Sequence, residues 1–256
     1  MSGTNISKLT EMTRKITKFI RPPGPPKIWE VVEKIGRDGR PIKFTIQEIP
    51  EDRSEDAIDH MCQYFMVDEP TCACFNAVNS PIFVKECREF WRNILDQGIA
   101  VAAFVDNPNG NKSIIAGLNM LCVEYKDEKI DIQLQSNFRF IFNAMKKLNK
   151  SLRLFERYNV DKYMFAVGLS VATAYRGYGL GADILKVRDK IGQEYDIEMT
   201  STAFTSPFAA KAAERVGFEI LLKTKFADFV DENGKECFPG IQKYSDTLVI
   251  MAKRIK

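Results

Sequence analysis

One histidine, two tryptophans and no long apolar run are the scarcities of this 256-residue chain. A structural metal usually gathers four Cys or His ligands at short spacings, so with a single imidazole no metal is expected. No stretch of ~18 apolar residues occurs, and no membrane span is expected. The N-terminus lacks the apolar core of a secretory signal. The six cysteines (Cys62, Cys72, Cys74, Cys87, Cys122 and Cys237) follow no disulfide-framework spacing. They are therefore expected as reduced thiols in a cytoplasmic protein. The net charge of +3 is too small to argue for nucleic acid, and no such partner is expected.

What is present is ordinary for a globular enzyme-sized chain: 45% apolar and 28% charged residues. Residues 1–21 place Ile6, Leu9, Met12, Ile16 and Phe19 at helical spacing among five basic residues, and "RPPGPP" at 21–26 stops any helix. That stretch suits a mobile extension, a surface-docking helix or a transit peptide. The expected organisation is a basic extension and Pro-rich linker over 1–26 and one domain over 27–256, acting as a monomer.

"IWEVVEKI" (28–35) and "PIKFTIQEI" (41–49) flank the turn "GRDGR" and predict a hairpin. From Ser54 the pattern turns helical, with Ala57, Ile58, Met61, Cys62 and Phe65 on one face. His60 falls about 160° from that face at ~100° per residue and is expected to point to water. Ser80 and Pro81 open a second helix whose buried stripe is Phe83, Val84, Cys87, Trp91 and Ile94. Two antiparallel strands follow (99–105 and 113–125), then a long amphipathic helix with Phe138, Phe142, Met145, Leu148, Leu152 and Phe155 inward. "KYMFAVGLSV" (162–171) reads as a strand buried on both faces. After it come a glycine segment, a helix, the strand 197–204, the helix of "SPFAAKAAERVGF" and the strand "EILLKTKF". The order is that of an α/β fold with at least one parallel pair.

The glycine segment "AYRGYGLGAD" offers exposed N–H groups at the start of a helix, a phosphate cradle. A P-loop needs GxxxxGK[ST], and no Lys–hydroxyl pair follows these glycines. A dinucleotide site wants GxGxxG directly after its strand, whereas here the third glycine comes one position early and residues 172–176 intervene. The remaining design is R-x-x-G-x-G, at Arg176-Gly177-Tyr178-Gly179-Leu180-Gly181.

This pattern resembles the acetyl-CoA signature of the GNAT acyltransferase superfamily. The stretch from "LSVATAYRGYGLGADIL" through "STAFTSPFAAKAAERVGFEILLKTKFADF" is similar in order and wording to the insect arylalkylamine N-acetyltransferases. "AAERVGFE" resembles their second cofactor motif and "KFADF" their exit strand. The likeness extends to "IQEIPEDRSEDAIDHMCQYFMVDEP" and covers most of 44–255. It implies a GNAT-like α/β fold: a mostly antiparallel sheet, helices on both faces, and a V-shaped splay between two central parallel strands. It also implies acetyl-CoA as co-substrate.

Acetylating an amine requires removal of a proton from an ammonium of pKa near ~10, of which about one in a thousand is neutral at pH 7. The resemblance assigns that task to Glu69 of "VDEP"; Asp68 would then supply negative potential that attracts the amine, and the pocket would combine Glu69 with aromatics such as Tyr64, Phe65 and Phe75. For the leaving thiolate it points to Ser206, with Thr205 at a neighbouring serine position. The family's second serine falls at Ala209, so a two-serine relay is not assumed, and Ser206 could equally be a helix cap. Backbone N–H groups of Leu169, Ser170 and Val171 would hold the acetyl oxygen and pantetheine arm, and residues Arg176 to Ala182 (Gly177, Tyr178, Gly179, Leu180 and Gly181 between them) the pyrophosphate. Family members often have Asp-Pro or Asn after this strand, where this chain has Ala172-Thr173-Ala174. The expected activity is direct acetyl transfer to a small primary amine: dopamine, tyramine, tryptamine, serotonin, or a polyamine or agmatine. A covalent route through Cys62, Cys72 or Cys74, a protein or peptide acetyltransferase, and a non-catalytic acyl-CoA-binding module are the rivals.

Overall fold

The computed structural model describes residues 19–110, 112–128, 133–231 and 233–256. The expected helix at the basic N-terminus lies outside them. Eight strands form one sheet: β1 (Ile28–Ile35), β2 (Pro41–Glu48), β3 (Val101–Val105), β4 (Ile114–Tyr125), β5 (Lys162–Val171), β6 (Met199–Phe204), β7 (Glu219–Lys225) and β8 (Thr247–Arg254). Their order is β1-β2-β3-β4-β5-β6-β8-β7. Every neighbouring pair is antiparallel except β5 and β6. That parallel pair is in register only at Met164↔Thr200 and Phe165↔Ser201, beyond which the two strands part. The expected splay is this divergence. It explains why the second half of β5 is half-buried and not covered on both faces.

The helices follow from the apolar periodicities. On one face, α1 (Ser54–His60) and α4 (Pro81–Leu95) cover β3, β4 and β5 with Ala57, Ile58, Phe83, Cys87, Trp91 and Ile94. On the other, α7 (Leu180–Lys186) and α8 (Arg188–Glu194) press Leu180, Ile184 and Ile191 onto the same strands. Ser80 caps α4 by accepting from the Phe83 N–H, as its sequence promises. Short α2 (Met66–Asp68) and α3 (Pro70–Cys74) follow α1, and α9 (Pro207–Arg215) follows β6. The long helix expected after β4 is broken into α5 (Phe138–Leu152) and α6 (Leu154–Tyr158) by Arg153, whose φ is +48°. Of its inward residues only Phe138 is fully buried, because the face looks into a cavity. Glu86 on α4, buried, accepts from the Gln135 N–H at 2.6 Å and from the Ser136 N–H and hydroxyl, pinning the approach to α5.

Two local readings need correction. His60 is buried, 5% exposed: it flanks the apolar stripe of α1 on the side that meets β5, while Glu55, Asp56 and Asp59 hold the exposed side. "KFADF" is no strand: β7 ends at Lys225 and Phe226–Asp228 form a tight 3-10 turn. The last strand is β8, which inserts between β6 and β7. At the other end, the Ile20 N–H donates to Gln97 O and Arg21 pairs with Glu48, so the chain is anchored before the proline run. No helix among the described residues is long and apolar enough to cross a membrane.

Candidate active site

Glu69 stands at a break forced by the next residue. Proline disfavours a helical residue before it, and Glu69 accordingly has ψ 123°, ending α2 and capping α3. Its Oε2 accepts from the Cys72 N–H at 2.7 Å and the Thr71 hydroxyl at 2.5 Å. Its Oε1 accepts from the Thr205 hydroxyl at 2.6 Å. An ionised carboxylate has about four lone-pair sites, so three donors leave room for one more. Thr205 lies just past the end of β6, on the far side of the splay. The half-buried Glu69 is thereby fixed at the cleft where β5 and β6 part.

Before it, Met61–Phe65 widen into a π-helical turn that the sequence did not announce. This turn packs on β5 at Gly168, where an added Cβ would stand 2.5 Å from Met61 Cε and 3.3 Å from Phe65. Gly168 sits in a bulge: the β4–β5 register slips between Asn119↔Leu169 and Leu121↔Ala166. A bulge reverses which face successive side chains occupy. Val167 therefore joins the α1 face, Leu169 the α7 face, and Ser170 returns to the α1 face. There the Ser170 hydroxyl meets His60 Nε2 at 3.1 Å. Burial pushes the His60 pKa down to about 4, against a backbone hydrogen bond at Ile115 that favours the charged form.

Beyond the bulge the Ala172 N–H donates to Ala116 O across to β4. Antiparallel alternation then turns the N–H groups of Leu169 and Val171 away from β4, toward the splay. The outward turn of Val171 is visible in its carbonyl, which accepts from Arg176 Nε at 2.9 Å. Of the three β5 donors expected at the acetyl group, Leu169 and Val171 face the cleft, and Ser170 faces its neighbouring strand.

The glycine turn continues directly. Gly177 (φ +91°) and Gly179 (φ +75°) adopt left-handed conformations with no atom within 4 Å of where a Cβ would be. α7 begins at Leu180 as expected, with the N–H groups of Leu180 and Gly181 at its open end, whereas the Ala182 N–H already donates to Gly179 O at 2.9 Å. Arg176 does not fold over the turn: it pairs with Asp68 at 2.5 Å. Asp68 thus has its charge engaged. Tyr178 accepts from the Arg37 N–H at 3.1 Å, which rests the β1–β2 hairpin on this segment.

A cavity of about 1690 Å³ runs through the splay and joins these parts. One end is lined by Gly177, Gly179, Gly181 and Ala182; the other by Tyr64, Phe65, Phe90, Phe138, Phe142 and Met145. Glu69, Thr205 and Ser206 lie along it. Ser206 is the N-cap residue of α9 by backbone but makes no side-chain capping bond, so its hydroxyl is not spent on the helix. Phe75 is off the cavity wall, its ring stacked on Phe140 and tilted against Phe238 beside the C-terminal cluster. Burial raises the thiol pKa of Cys72 well above its ordinary value, that of Cys74 to about 11, and that of Cys62 as well. Such thiols are protonated at neutral pH and poor nucleophiles.

Two groups escaped sequence reasoning. Thr71, buried against Glu69, looks like any helix-start threonine. Arg188 lies fully buried beside Asn119, Thr200 and Thr202. Its signal was there: it falls four residues after Ile184, on the apolar stripe of its helix, where a charge is anomalous.

No family model and no curated protein matches the sequence. Solved structures do. A yellow fever mosquito (Aedes aegypti) protein designated arylalkylamine N-acetyltransferase 7 is 29% identical, with TM-score 0.82 over 90% of this chain and 96% of that one. Arylalkylamine N-acetyltransferase 2 of Aedes aegypti is 24% identical, with TM-score 0.71 over 83% of this chain and 99% of that one. A Drosophila melanogaster polyamine N-acetyltransferase, 14% identical, gives TM-score 0.66 over 82% of this chain and 99% of that one, a likeness of fold alone. The resemblance read from the motifs is borne out: the fold is that of GNAT acyltransferases, and the chain is similar to their insect arylalkylamine members.

Proposed function

We propose that the chain transfers an acetyl group from acetyl-CoA to the primary amine of a small, apolar-bodied molecule, with Glu69 as general base. The observation that carries this reading is the position of the Glu69 carboxylate. It sits on the cavity between a glycine turn shaped for a pyrophosphate and an aromatic chamber, with one lone-pair site left for an ammonium proton. The residues present fit acetyl-CoA. Gly177 and Gly179 leave open the space a Cβ would fill, and the N–H groups of Leu169 and Val171 face the splay, suited to a thioester oxygen.

In this reading Glu69 takes the ammonium proton, and the freed amine attacks the carbonyl carbon. The C–S bond breaks as the amide forms, the amine's second proton ends on the departing thiolate, and the Ser206 hydroxyl, free of capping duty and on the same cavity, is assigned to relay it. Thr205 holds Glu69 toward the cleft. Cysteine takes no part, since the candidate thiols are protonated. The wall of Phe90, Phe138, Ile141, Phe142 and Met145 suits the body of an aromatic amine, while Glu124, Glu128 and Glu156 on the same cavity are the groups that would pair the second ammonium of agmatine or a polyamine.

A panel of tryptamine, dopamine, agmatine, spermidine, glycine and a lysine peptide, scored by thiol release from acetyl-CoA, tests the proposal. Arylalkylamines should be the best substrates. Preference for the peptide would indicate a protein acetyltransferase. Acetyl-CoA binding with no turnover of any amine would indicate a binding module.

A further inference from the structure

Arg188 is a cation with no carboxylate bonded to it among the described residues. It is 1% exposed. Its Nε and Nη2 donate to Asn119 Oδ1 at 3.0 and 2.7 Å, and its Nη1 to the hydroxyls of Thr200 and Thr202 at 3.1 and 2.8 Å. The Phe218 ring lies 5.4 Å from its guanidinium carbon. Neighbouring Asp189 is bonded to Lys253 instead. Burial pulls the Arg188 pKa down to about 9, which still leaves it charged at neutral pH. An arrangement that only filled space would be served as well by an apolar side chain, since buried charge is costly.

The charge has an outlet. Asn119, held by Arg188 through its oxygen, donates its Nδ2 to Gly168 O at 2.6 Å. In a trans peptide the C=O of Gly168 and the N–H of Leu169 point in opposite directions. Gly168 O faces β4, so the Leu169 N–H faces the splay, the same direction that strand alternation assigned it. We infer that Arg188 and Asn119 are positioning residues that polarise the Gly168–Leu169 peptide, strengthening the Leu169 N–H as a donor to the thioester oxygen. Each hydrogen bond in such a chain polarises the next. The bulge at Gly168 brings the carbonyl within reach of Asn119 and holds the donor rigidly. This inference rests on the proposed acetyl-CoA reading and adds to it a source of electrophilic activation.

The test uses Asn119→Asp, which keeps the shape and the acceptor for Arg188 but loses the donor to Gly168, together with Arg188→Met and Arg188→Lys. Steady-state kinetics with tryptamine are paired with the infrared carbonyl band of bound [1-13C]acetyl-CoA. Asn119→Asp and Arg188→Met should lower kcat by roughly three- to tenfold with the acetyl-CoA KM within about twofold. Their bound carbonyl band should move to higher wavenumber than in the parent. Arg188→Lys should recover most of the rate. An unchanged kcat in Asn119→Asp, or a loss of kcat with an unmoved band, overturns the inference even if Arg188→Met fails to fold. A polarised carbonyl in a parent that acetylates no amine would sink the amine-transfer reading and leave the polarised peptide standing. A parent in which the bound carbonyl is not shifted overturns the peptide itself.

Discussion

The Thr205 hydroxyl donates to Glu69 Oε1 at 2.6 Å, joining residues 136 positions apart across the splay of β5 and β6. One partner comes from the break before Pro70 and the other from the junction of β6 and α9. The contact aims the carboxylate at the cleft.

Glu69→Gln should lower kcat/KM with the best amine by ~100-fold or more at pH 7. The loss should shrink toward pH 10, where the amine deprotonates unaided. A pH–rate profile parallel to that of the parent would remove Glu69 as the base. Thr205→Val should cost less, about tenfold, because it frees the carboxylate without removing it.

The Asp68–Arg176 pair is half-exposed on both sides, and such pairs contribute about 0–1 kcal/mol to stability. Its role is to hold the glycine turn against the exit of α2. Asp68→Asn should therefore leave Tm nearly unchanged and raise the acetyl-CoA KM several-fold, the parent showing a similar rise at high salt. A higher amine KM in the variant with an unchanged acetyl-CoA KM would argue against this role and for attraction of the ammonium by Asp68.

Gly177→Ala and Gly179→Ala force a side chain into left-handed backbone at a cost of ~1 kcal/mol each. They should also raise the acetyl-CoA KM by about tenfold. Gly110→Ala, at φ +72° in the β3–β4 turn, provides the control: a similar drop in Tm with kinetics untouched. Equal KM in all three would take the pyrophosphate away from this turn.

His60 is neutral in the fold down to a pH of about 4, whereas an exposed histidine takes up its proton near 6.5. Between those values the unfolded chain binds the extra proton, so stability falls as pH drops from 6.5 to 4, by up to about 3 kcal/mol. His60→Gln should flatten the Tm–pH curve over that window. Parallel curves for the two proteins would mean that another group governs the acid limb.

The local sequence was a good guide wherever a residue's own chemistry determines its conformation. Ser80–Pro81 opens a helix, Pro70 breaks one at Glu69, and the alternating glycines at 177 and 179 mark left-handed backbone before α7. Resemblance added the splay and the proposal of Glu69 as base. What neither could show depends on faces meeting at a distance. His60 was read as solvent-facing from one helix's periodicity, but the bulge at Gly168 turns Ser170 toward it. Phe75 shares the helical aromatic pattern of Tyr64 and Phe65 and touches the same cluster as Phe65, yet its ring turns to the C-terminal cluster and off the cavity wall.

By itself, then, the sequence determined the elements, their order and the glycine turn before α7, because backbone strain, capping and apolar period act within a few residues. Only the tertiary structure decided that Thr205 would hold Glu69, that Asp68 would spend its charge on Arg176, and that a buried arginine would reach Gly168 through Asn119. Those pairings depend on a strand register and a one-residue bulge, and a shift of one position would turn each side chain to the opposite face.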